Sequence, residues 1–439
     1  MLLFSYTITP RLQYVVDFLN KELFETTVTI TTDLHHFQTA VGPRINYSSE
    51  PFDAEVFSVR PVRLLFEKGI RPQDIHCFTS QGRTAFFASE GDLPFDLLAA
   101  TFYVLSRYEE YLPHDKDEYG RYAHTNSLAF REGFLDQPLV NYWLLQFKQA
   151  LLQRFPNLTF SKKNFKCILS YDIDIAWSYL HKGFVRTAGG FARSVIKGQW
   201  TEVKDRWNVL RGLQKDPYDC FEWLDALHLY CRLRPYYFFL VARKQVGYDK
   251  NTPTDVKAFR QLIEYYSNTY KTGIHPSWQS GDDPDLLVEE KEWLEVVADT
   301  PITRSRQHYI RFELPDTYRL LVKAGIEKDF SMGYGSINGF RASVCSSFVW
   351  YDLNLEQSTS LVLYPFCFMD ANSYYEQKDT PQQAYAELVL YHEQIRKLNG
   401  MMISIWHNSI LGTDRRFAGW REMFELFMRE TVYWDAYSD

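Results

Sequence analysis

Side chains that can do chemistry stand at the ends of four predicted strands in this chain of 439 residues. Asp172 and Asp174 end the segment 168–174, and the other three strands end on His275, His308 and His407. Because strand side chains alternate between faces, Asp172 and Asp174 share one face. Two carboxylates so close need a cation, an arginine or a shared proton. A helix N-cap or a surface salt bridge is the alternative role for such a pair.

The three histidines supply the ligand types that would complete a metal site. One aspartate and two histidines are a common catalytic set that leaves a position open for water. Each histidine alone is more typical of a hydrogen-bonded turn residue, so their shared position at strand ends is what favours a site. Pro276 fixes the exit of the strand that ends on His275, and the nearby Trp278 offers a face for stacking on a sugar.

The elements that must position these side chains alternate between strands and helices. The predicted strands are 165–174, 235–242, 272–275, 302–308, 326–329, 361–368 and 401–407. Two helical segments between them, 315–324 and 381–399, begin with Pro and are followed by Gly. This alternation predicts an α/β fold, a distorted and incomplete (β/α) barrel, in which the chemistry lies where the strands end.

A polar stretch at 155–164 divides the chain into two predicted domains, residues 1–160 and residues 161–439. The first is predicted to be a smaller α+β domain, with β patterns at 27–30 and 84–88 and helical patterns at 95–111 and 139–154. The helix at 95–111 is apolar on most faces, which predicts a buried packing element. We assign this domain no activity, and bracing the barrel is the simplest role for it.

Composition limits the classes of partner. The net charge is −7 and the pI is near 5.9, so no overall basic field draws in nucleic acid or an anionic membrane. Neither a signal peptide nor a run of about 18 apolar residues is evident, so we expect a cytoplasmic protein without stable membrane insertion. The six scattered cysteines fit buried thiols. Aromatic residues reach 17%, which fits a sugar-binding cavity or an aromatic-rich core.

Taken in order, these motifs resemble those of the NodB-homology polysaccharide deacetylases, carbohydrate esterase family 4. The resemblance covers residues from about 165 to 439, and residues 1–160 resemble a companion domain found ahead of bacterial deacetylase domains. It implies that Asp172 is the catalytic base and Asp174 a metal ligand. The family's second motif has two histidines four positions apart, but here His275 is followed by Gln279. His308 is therefore the candidate third ligand, and Gln279 or Ser280 is the alternative.

The resemblance implies the remaining roles as well. The segment 339–342 resembles the motif whose arginine pairs with the catalytic aspartate, so Arg341 would hold Asp172 ionised. The segment 405–408 resembles the final motif, which makes His407 the general acid. Asp370 falls where the family often has a carboxylate that orients this histidine. We expect the substrate site to include three more residues: Trp278, Asp370 and Trp406.

The resulting hypothesis is a hydrolase that uses a divalent metal ion, with zinc expected, to remove an N-acetyl group from an amino sugar or polysaccharide precursor. Two alternatives stay open. One is a metal-independent hydrolase of a cyclic amide or another non-peptide C–N bond, which the Gln279 departure favours. The other is a sugar-binding protein whose catalytic site has decayed. The partner in the hypothesis is a carbohydrate, and neither its identity nor the oligomeric state follows from the sequence.

Overall fold

Short strands and helices alternate through the first part of the chain in the computed structural model, which describes residues 1–432. The strands are β1 (Leu2–Phe4), β2 (Thr29–Thr31), β3 (Arg44–Asn46), β4 (Phe57–Ser58), β5 (Phe78–Ser80) and β6 (Arg83–Ala85). The helices are α1 (Pro10–Glu22), α2 (Leu34–Thr39), α3 (Leu97–Leu105), α4 (Leu128–Arg131) and α5 (Leu139–Arg154).

The first four strands form one parallel sheet in the order β2-β1-β3-β4, and β5 and β6 form a separate antiparallel hairpin. The main sheet is thus α/β in character, whereas the sequence predicted α+β. The helix predicted at 95–111 is α3 followed by a 3-10 turn at Tyr108–Tyr111, because Arg107 adopts a left-handed conformation between them. All nine residues of α3 are buried, as predicted.

Longer strands and helices make up the second part. The strands are β7 (Lys166–Ile173), β8 (Tyr236–Leu240), β9 (Lys271–His275), β10 (Arg304–Ser305), β11 (Lys328–Asp329), β12 (Phe348–Asp352), β13 (Gln357–Leu363), β14 (Phe368–Met369) and β15 (Met401–His407). The helices are α6 (Gly183–Ile196), α7 (Trp200–Leu210), α8 (Phe221–Tyr230), α9 (Lys257–Thr269), α10 (Pro284–Ala298), α11 (Asp316–Lys323), α12 (Pro381–Lys397) and α13 (Trp420–Phe427).

These nine strands form one sheet in the order β12-β13-β11-β10-β9-β8-β7-β15-β14, and every pair except β12 with β13 is parallel. The predicted α/β class with a parallel sheet is therefore confirmed. Within residues 1–432, β12 and β14 remain edge strands, so strand pairing does not close the sheet into a barrel.

The central strands follow from their composition. All five residues of β8 are aromatic or aliphatic and buried, as expected for a parallel strand covered on both faces. Helix α12 begins with a capping box, in which the side-chain oxygens of Thr380 and Gln383 each accept from the other's backbone N–H, and with Pro381 in its first turn. Strand β15, which follows α12, occupies the predicted residues 401–407.

Two predicted strands differ from those observed. The strand predicted at 302–308 is only Arg304–Ser305, because Tyr309 and Ile310 have positive φ and turn the chain away from the sheet. The strand predicted at 361–368 is two strands, β13 and β14, and β13 begins earlier at Gln357. The hairpin of β12 and β13 was not predicted.

The two parts of the chain share one hydrophobic core. Tyr14 of α1 and Phe102 of α3 pack on Tyr351 of β12, with ring centroids 5.0 and 5.2 Å apart. The backbone of Val140 donates to that of Ser343 across the same contact (2.9 Å). No helix among residues 1–432 is both long and apolar enough to cross a membrane.

Candidate metal centre and active-site cavity

The carboxyl ends of β7, β9 and β15 and the turn after β10 meet at one edge of the large sheet. His407 pairs with Asp172 in the register of β15 and β7. His275 is the last residue of β9, and His308 follows β10. Because these strands are parallel, their ends reach the same edge, and the side chains line a cavity of about 660 Å³.

Asp174, His275 and His308 form a group that could hold a metal ion. One candidate ligand atom from each residue lies within 4.8 Å of the others. Oδ1 of Asp174 is 3.3 Å from Nε2 of His275 and 4.0 Å from Nε2 of His308. His308 is thus the third member of the group, as the sequence favoured.

The hydrogen bonds of both histidines leave their Nε2 atoms directed at Asp174. Nδ1 of His275 donates to the backbone oxygen of Arg306 (2.5 Å), and Nδ1 of His308 donates to Oδ1 of Asp249 (3.0 Å). Metal-binding histidines are oriented in this way by an acceptor on the other ring nitrogen. Oδ1 of Asp174 is buried and accepts no hydrogen bond. A divalent ion would satisfy this oxygen, so the residues fit a metal.

The charges around Asp174 favour an anion. Burial alone would raise the pKa of Asp174, but the adjacent imidazole of His275 and the fields of His308 and His407 outweigh it, so the pKa lies well below its usual range. Burial lowers the pKa of His275, and Asp172 and Asp174 more than reverse this, so its pKa is raised. One carboxylate therefore stays ionised among three histidines.

Asp172 is held by Arg306, which the sequence did not identify. Asp172 is 2% exposed and Arg306 is fully buried. Nη1 of Arg306 donates to Oδ1 of Asp172 (2.8 Å), while its Nε donates to the backbone oxygen of Phe330 (3.1 Å). This buried guanidinium, itself held by the backbone, fixes the orientation of the Asp172 carboxyl group.

The prediction that Arg341 pairs with Asp172 is wrong. Nε and Nη2 of Arg341 donate to the two carboxylate oxygens of Glu110, at 2.8 and 2.6 Å. Arg107 donates to the same carboxylate (2.7 Å). Arg341 contacts Glu110 instead of Asp172 because the 3-10 turn at Tyr108–Tyr111 places Glu110 where both of its carboxylate oxygens can accept from the guanidinium. The sequence motif around Arg341 lies in the second part of the chain and gives no information about this partner in the first part.

His407 faces Asp174 across the cavity. Its Nε2 is 3.8 Å from Oδ2 of Asp174, and its Nδ1 is 2.6 Å from Oδ1 of Asp370. Asp370 also accepts from the backbone nitrogen of His407 (2.7 Å), so one carboxylate fixes both backbone and ring. Burial lowers the pKa of His407, but Asp370, Asp174 and Asp172 raise it to about 10. The imidazole is therefore protonated at neutral pH.

Three residues expected around the substrate lie elsewhere. Trp406 is fully buried, packs on Phe424 (4.5 Å) and donates from Nε1 to Ser404, because side chains of β15 alternate away from the cavity. Asp370 is fully buried behind His407. Trp278 does not line the cavity; its ring lies 4.2 Å from that of Tyr248 and beneath Arg311.

The alternatives for the third ligand also have other partners. The side-chain amide of Gln279 donates to Asp249 (3.0 Å) and to the backbone oxygen of Lys244 (3.1 Å). The hydroxyl of Ser280 donates to the backbone oxygen of Ser277 (2.9 Å). Gln279 thus supports Asp249, which in turn orients His308.

The first part of the chain contributes to the cavity, although the sequence suggested no active role for it. Glu118, Tyr119 and Arg121 line the cavity beside the turn that carries His308. Arg121 donates to the backbone oxygen of Tyr309 (2.7 Å), and Tyr119 packs on the ring of Tyr309 (5.3 Å). Tyr309 lines the cavity, and Trp278 does not.

The sequence contained a pattern that could have identified Arg306. Arg306 and His308 stand two positions apart at the end of a predicted strand, a spacing that places both on one face. Asp249 and Tyr119 carried no comparable signal, because long segments of chain separate them from the motifs.

Two kinds of comparison match this chain. Residues 1–156 match the model of a family of unknown function, DUF7033. That match covers about a third of the chain and defines no activity. A search of curated protein sequences finds no match.

Solved structures similar to this chain include polysaccharide deacetylases and an allantoinase. One is described as a polysaccharide deacetylase, from Mycobacterium smegmatis (13% identity, TM-score 0.39, 62% of this chain and 85% of the other). A polysaccharide deacetylase from Bacillus cereus has 9% identity and a TM-score of 0.29 over 61% and 88% of the two chains. Puue allantoinase has 11% identity and a TM-score of 0.36 over 63% and 91%. Likeness at this level defines no activity, which must come from the side chains of the cavity.

Proposed function

We propose that the chain is a metal-dependent hydrolase that removes an N-acetyl group from an amino sugar or polysaccharide precursor. The observation that carries the proposal is Oδ1 of Asp174, a buried carboxylate oxygen without a hydrogen-bond partner that lies within 4.0 Å of two histidine Nε2 atoms. Asp172 stands beside this group and His407 opposite it. Two acid–base groups that flank a metal group are suited to amide hydrolysis.

Asp174, His275 and His308 would hold the ion, and zinc suits one carboxylate and two imidazoles. When bound, the ion would polarise the scissile carbonyl and assist the attack of water. Asp249 and the backbone oxygen of Arg306 fix the directions of the two imidazoles. This support keeps both Nε2 atoms available as ligands.

Asp172 acts as the general base in this proposal. Its Oδ2 lies 3.8 Å from Nε2 of His275, next to the metal group, and takes a proton from the attacking water. Arg306 donates to the other oxygen, so the carboxyl group of Asp172 cannot rotate freely. Arg306 thereby takes the role that the sequence gave to Arg341.

His407 acts as the general acid. It is protonated at neutral pH and its Nε2 faces the cavity, so it can deliver a proton to the departing amine nitrogen. Asp370 holds the ring from behind through Nδ1. The acid and the base reach the cavity from neighbouring strands, β15 and β7.

Acetate release from a panel of N-acetylated sugars and oligosaccharides tests this function. Asp172→Asn and His407→Ala should each lower the rate about 100-fold or more, since each removes one proton-transfer group. Asp255→Asn and His76→Ala, at exposed positions, are the matched controls and should keep wild-type rates. Full activity in either cavity variant would refute the assigned roles.

Metal analysis of the purified protein tests metal dependence separately. We expect about one divalent ion per chain and loss of activity on chelation that zinc restores. A chain that binds no ion and keeps its activity in chelator would favour the metal-independent hydrolysis of a cyclic amide. Binding of an acetylated sugar without turnover would favour the decayed sugar-binding protein.

A further inference from the structure

A helical hairpin, residues 182–213, stands away from the rest of the fold. It consists of α6 and α7, and only Ser194 in α6 and Val209 in α7 are buried. Asp216 fastens the two ends of the insertion: its carboxylate accepts from the backbone nitrogens of residues 178, 179 and 180 at 2.7, 2.8 and 3.0 Å. The hairpin is thus firmly attached at its base while most of its surface faces solvent.

Contacts between the two helices give the hairpin a defined shape. The guanidinium of Arg206 packs on the rings of Tyr179 (4.6 Å) and Phe191 (5.6 Å). Gly190 permits this approach, because a Cβ there would lie 2.5 Å from the guanidinium. Ser194 donates to Glu202 (3.2 Å). The exposed side chains therefore belong to a packed element.

Large apolar side chains cover much of the exposed surface. They are Phe184 (88% exposed), Val185 (82%), Val195 (43%), Ile196 (84%), Trp200 (66%), Trp207 (53%), Leu210 (40%) and Leu213 (73%). In α6 the apolar positions 184, 188, 192 and 195 recur at helical spacing and form one stripe. Burying so many apolar side chains requires a partner outside the described chain.

Basic residues are concentrated in the same element. Residues 182–213 contain seven lysines and arginines and two acidic residues, a formal charge of +5 in a chain of net charge −7. Lys182, Arg186, Arg193 and Lys197 lie on the face of α6 opposite its apolar stripe. These four also line a cavity of about 730 Å³ at the base of the hairpin, together with Arg415 and Arg416.

We propose that the hairpin docks the protein on the surface of a bilayer that contains anionic phospholipids. A helix with an apolar stripe, a basic face and nearby tryptophans is suited to lie in the plane of the lipid interface, where the apolar side chains enter the acyl boundary and the cations meet headgroup phosphates. An exposed helix with an apolar stripe on one face and cations on the other fits a fluid bilayer better than a protein partner, whose interface would need matched shape.

The base of the hairpin adjoins the candidate active-site cavity, so docking in this way would place that cavity near the lipid surface. Tyr218, which lines the cavity, follows the base of the hairpin, and Thr413 donates its backbone nitrogen to the oxygen of Pro217 (2.7 Å) beside it. The proposal goes beyond the hydrolytic function and does not depend on it, because membrane binding is measured without turnover.

Flotation of the full chain with vesicles tests the proposal. Wild-type protein should float with vesicles of phosphatidylcholine and phosphatidylglycerol and should float less with phosphatidylcholine alone. Phe184→Ser/Val185→Ser/Ile196→Ser and Arg186→Glu/Arg193→Glu/Lys197→Glu should each weaken partitioning by about tenfold or more. All six positions are exposed, so unchanged thermal melting shows that the fold is intact.

Matched variants elsewhere on the surface distinguish binding through the hairpin from nonspecific binding to lipid. Leu229→Ser/Val296→Ser removes two side chains that are 82% and 81% exposed, and Lys68→Glu/Lys162→Glu/Lys257→Glu reverses three exposed charges. Both should float as the wild type does. Failure of the wild type to float, or equal flotation of the hairpin variants, overturns the proposal. Self-association through the hairpin in sedimentation analysis, without flotation, overturns it in favour of a protein interface.

Discussion

Arg306 and His308 stand two residues apart just beyond β10, and both side chains turn toward the carboxylates of β7. Arg306 contacts Asp172 at 2.8 Å, and Nε2 of His308 lies 4.0 Å from Asp174. One short segment therefore supplies the partner of the proposed base and a proposed metal ligand. Its backbone adds a third contact, since the oxygen of Arg306 accepts from His275.

The two arginines can be distinguished by substitution. Arg306→Gln should lower kcat for acetate release about 10- to 100-fold, because Asp172 loses the charged hydrogen-bond donor that orients it toward the attacking water. Arg341→Gln should lower the melting temperature and leave kcat close to wild type, because its guanidinium contacts Glu110 instead. Steady-state kinetics and thermal melting on both variants measure this. A large loss of kcat in Arg341→Gln, with kcat close to wild type in Arg306→Gln, would instead assign the catalytic role to Arg341.

Asp249 is a positioning residue for His308. Asp249→Asn should weaken metal affinity about 10- to 100-fold, because the amide no longer accepts a charge-assisted hydrogen bond that fixes the imidazole. Titration with zinc in competition with a chromophoric chelator measures the affinity. Asp283→Asn, at an exposed position, is the control and should bind zinc as the wild type does. Unchanged affinity in Asp249→Asn would remove Asp249 from the site.

At the scale of elements, the 3-10 turn at Tyr108–Tyr111 ties the first part of the chain to the second. Glu110 on this turn is 5% exposed and lies between Arg107 and Arg341. Burial raises the pKa of Glu110, but the two guanidinium groups outweigh it and lower the pKa to about 2. The ionised Glu110 therefore links the 3-10 turn to the segment that carries Arg341, although the two are far apart in the sequence.

Glu110→Gln should lower the free energy of unfolding by about 3 to 5 kcal/mol at neutral pH, since two buried cations lose their carboxylate. A lowered carboxyl pKa stabilises the fold fully above the ordinary value of 4.5, and this stabilisation is lost as the pH falls toward 2. The difference in free energy of unfolding between wild type and Glu110→Gln should therefore become smaller below pH 4.5. Urea unfolding at several pH values measures it, with the exposed Glu90→Gln as control. A gap independent of pH would contradict this account.

Across the whole molecule, one core joins both parts and several titratable groups are buried in it. His228 of α8 is 1% exposed, and its Nε2 lies 2.7 Å from the hydroxyl of Tyr171 on β7. Burial lowers the pKa of His228 to about 3. The imidazole is neutral in the folded protein over the range in which it becomes charged in the unfolded chain.

This group should make the fold sensitive to mild acid. Because the folded pKa is lowered from 6.5 to about 3, the unfolded chain binds the extra proton, and stability falls as the pH drops from 6.5 toward 3. His228 should make the free energy of unfolding fall by up to about 1.4 kcal/mol for each pH unit in this range. His228→Gln should flatten the profile between pH 6 and 4, whereas the exposed His76→Gln should not. Parallel profiles for all three proteins would refute this role.

The hairpin shows why net charge alone misleads about partners. A chain of net charge −7 predicts no attraction to anionic surfaces, yet residues 182–213 carry +5 on one exposed element. Charge acts over about 10 Å at moderate salt, so its local distribution decides binding. Only the folded arrangement shows that these cations and the exposed apolar side chains belong to the same exposed hairpin.

The sequence by itself determined the α/β class and the limits of β15, and it favoured the grouping of Asp174, His275 and His308. These follow from local patterns, because a parallel strand that ends on a polar residue must deliver it to a shared edge of the sheet. The tertiary structure decided which arginine holds Asp172, which acid orients His308 and which rings face the cavity. Those choices depend on distances between segments far apart in the chain. Arg341 turned to Glu110 because a buried guanidinium pairs with whichever carboxylate the packing brings within reach.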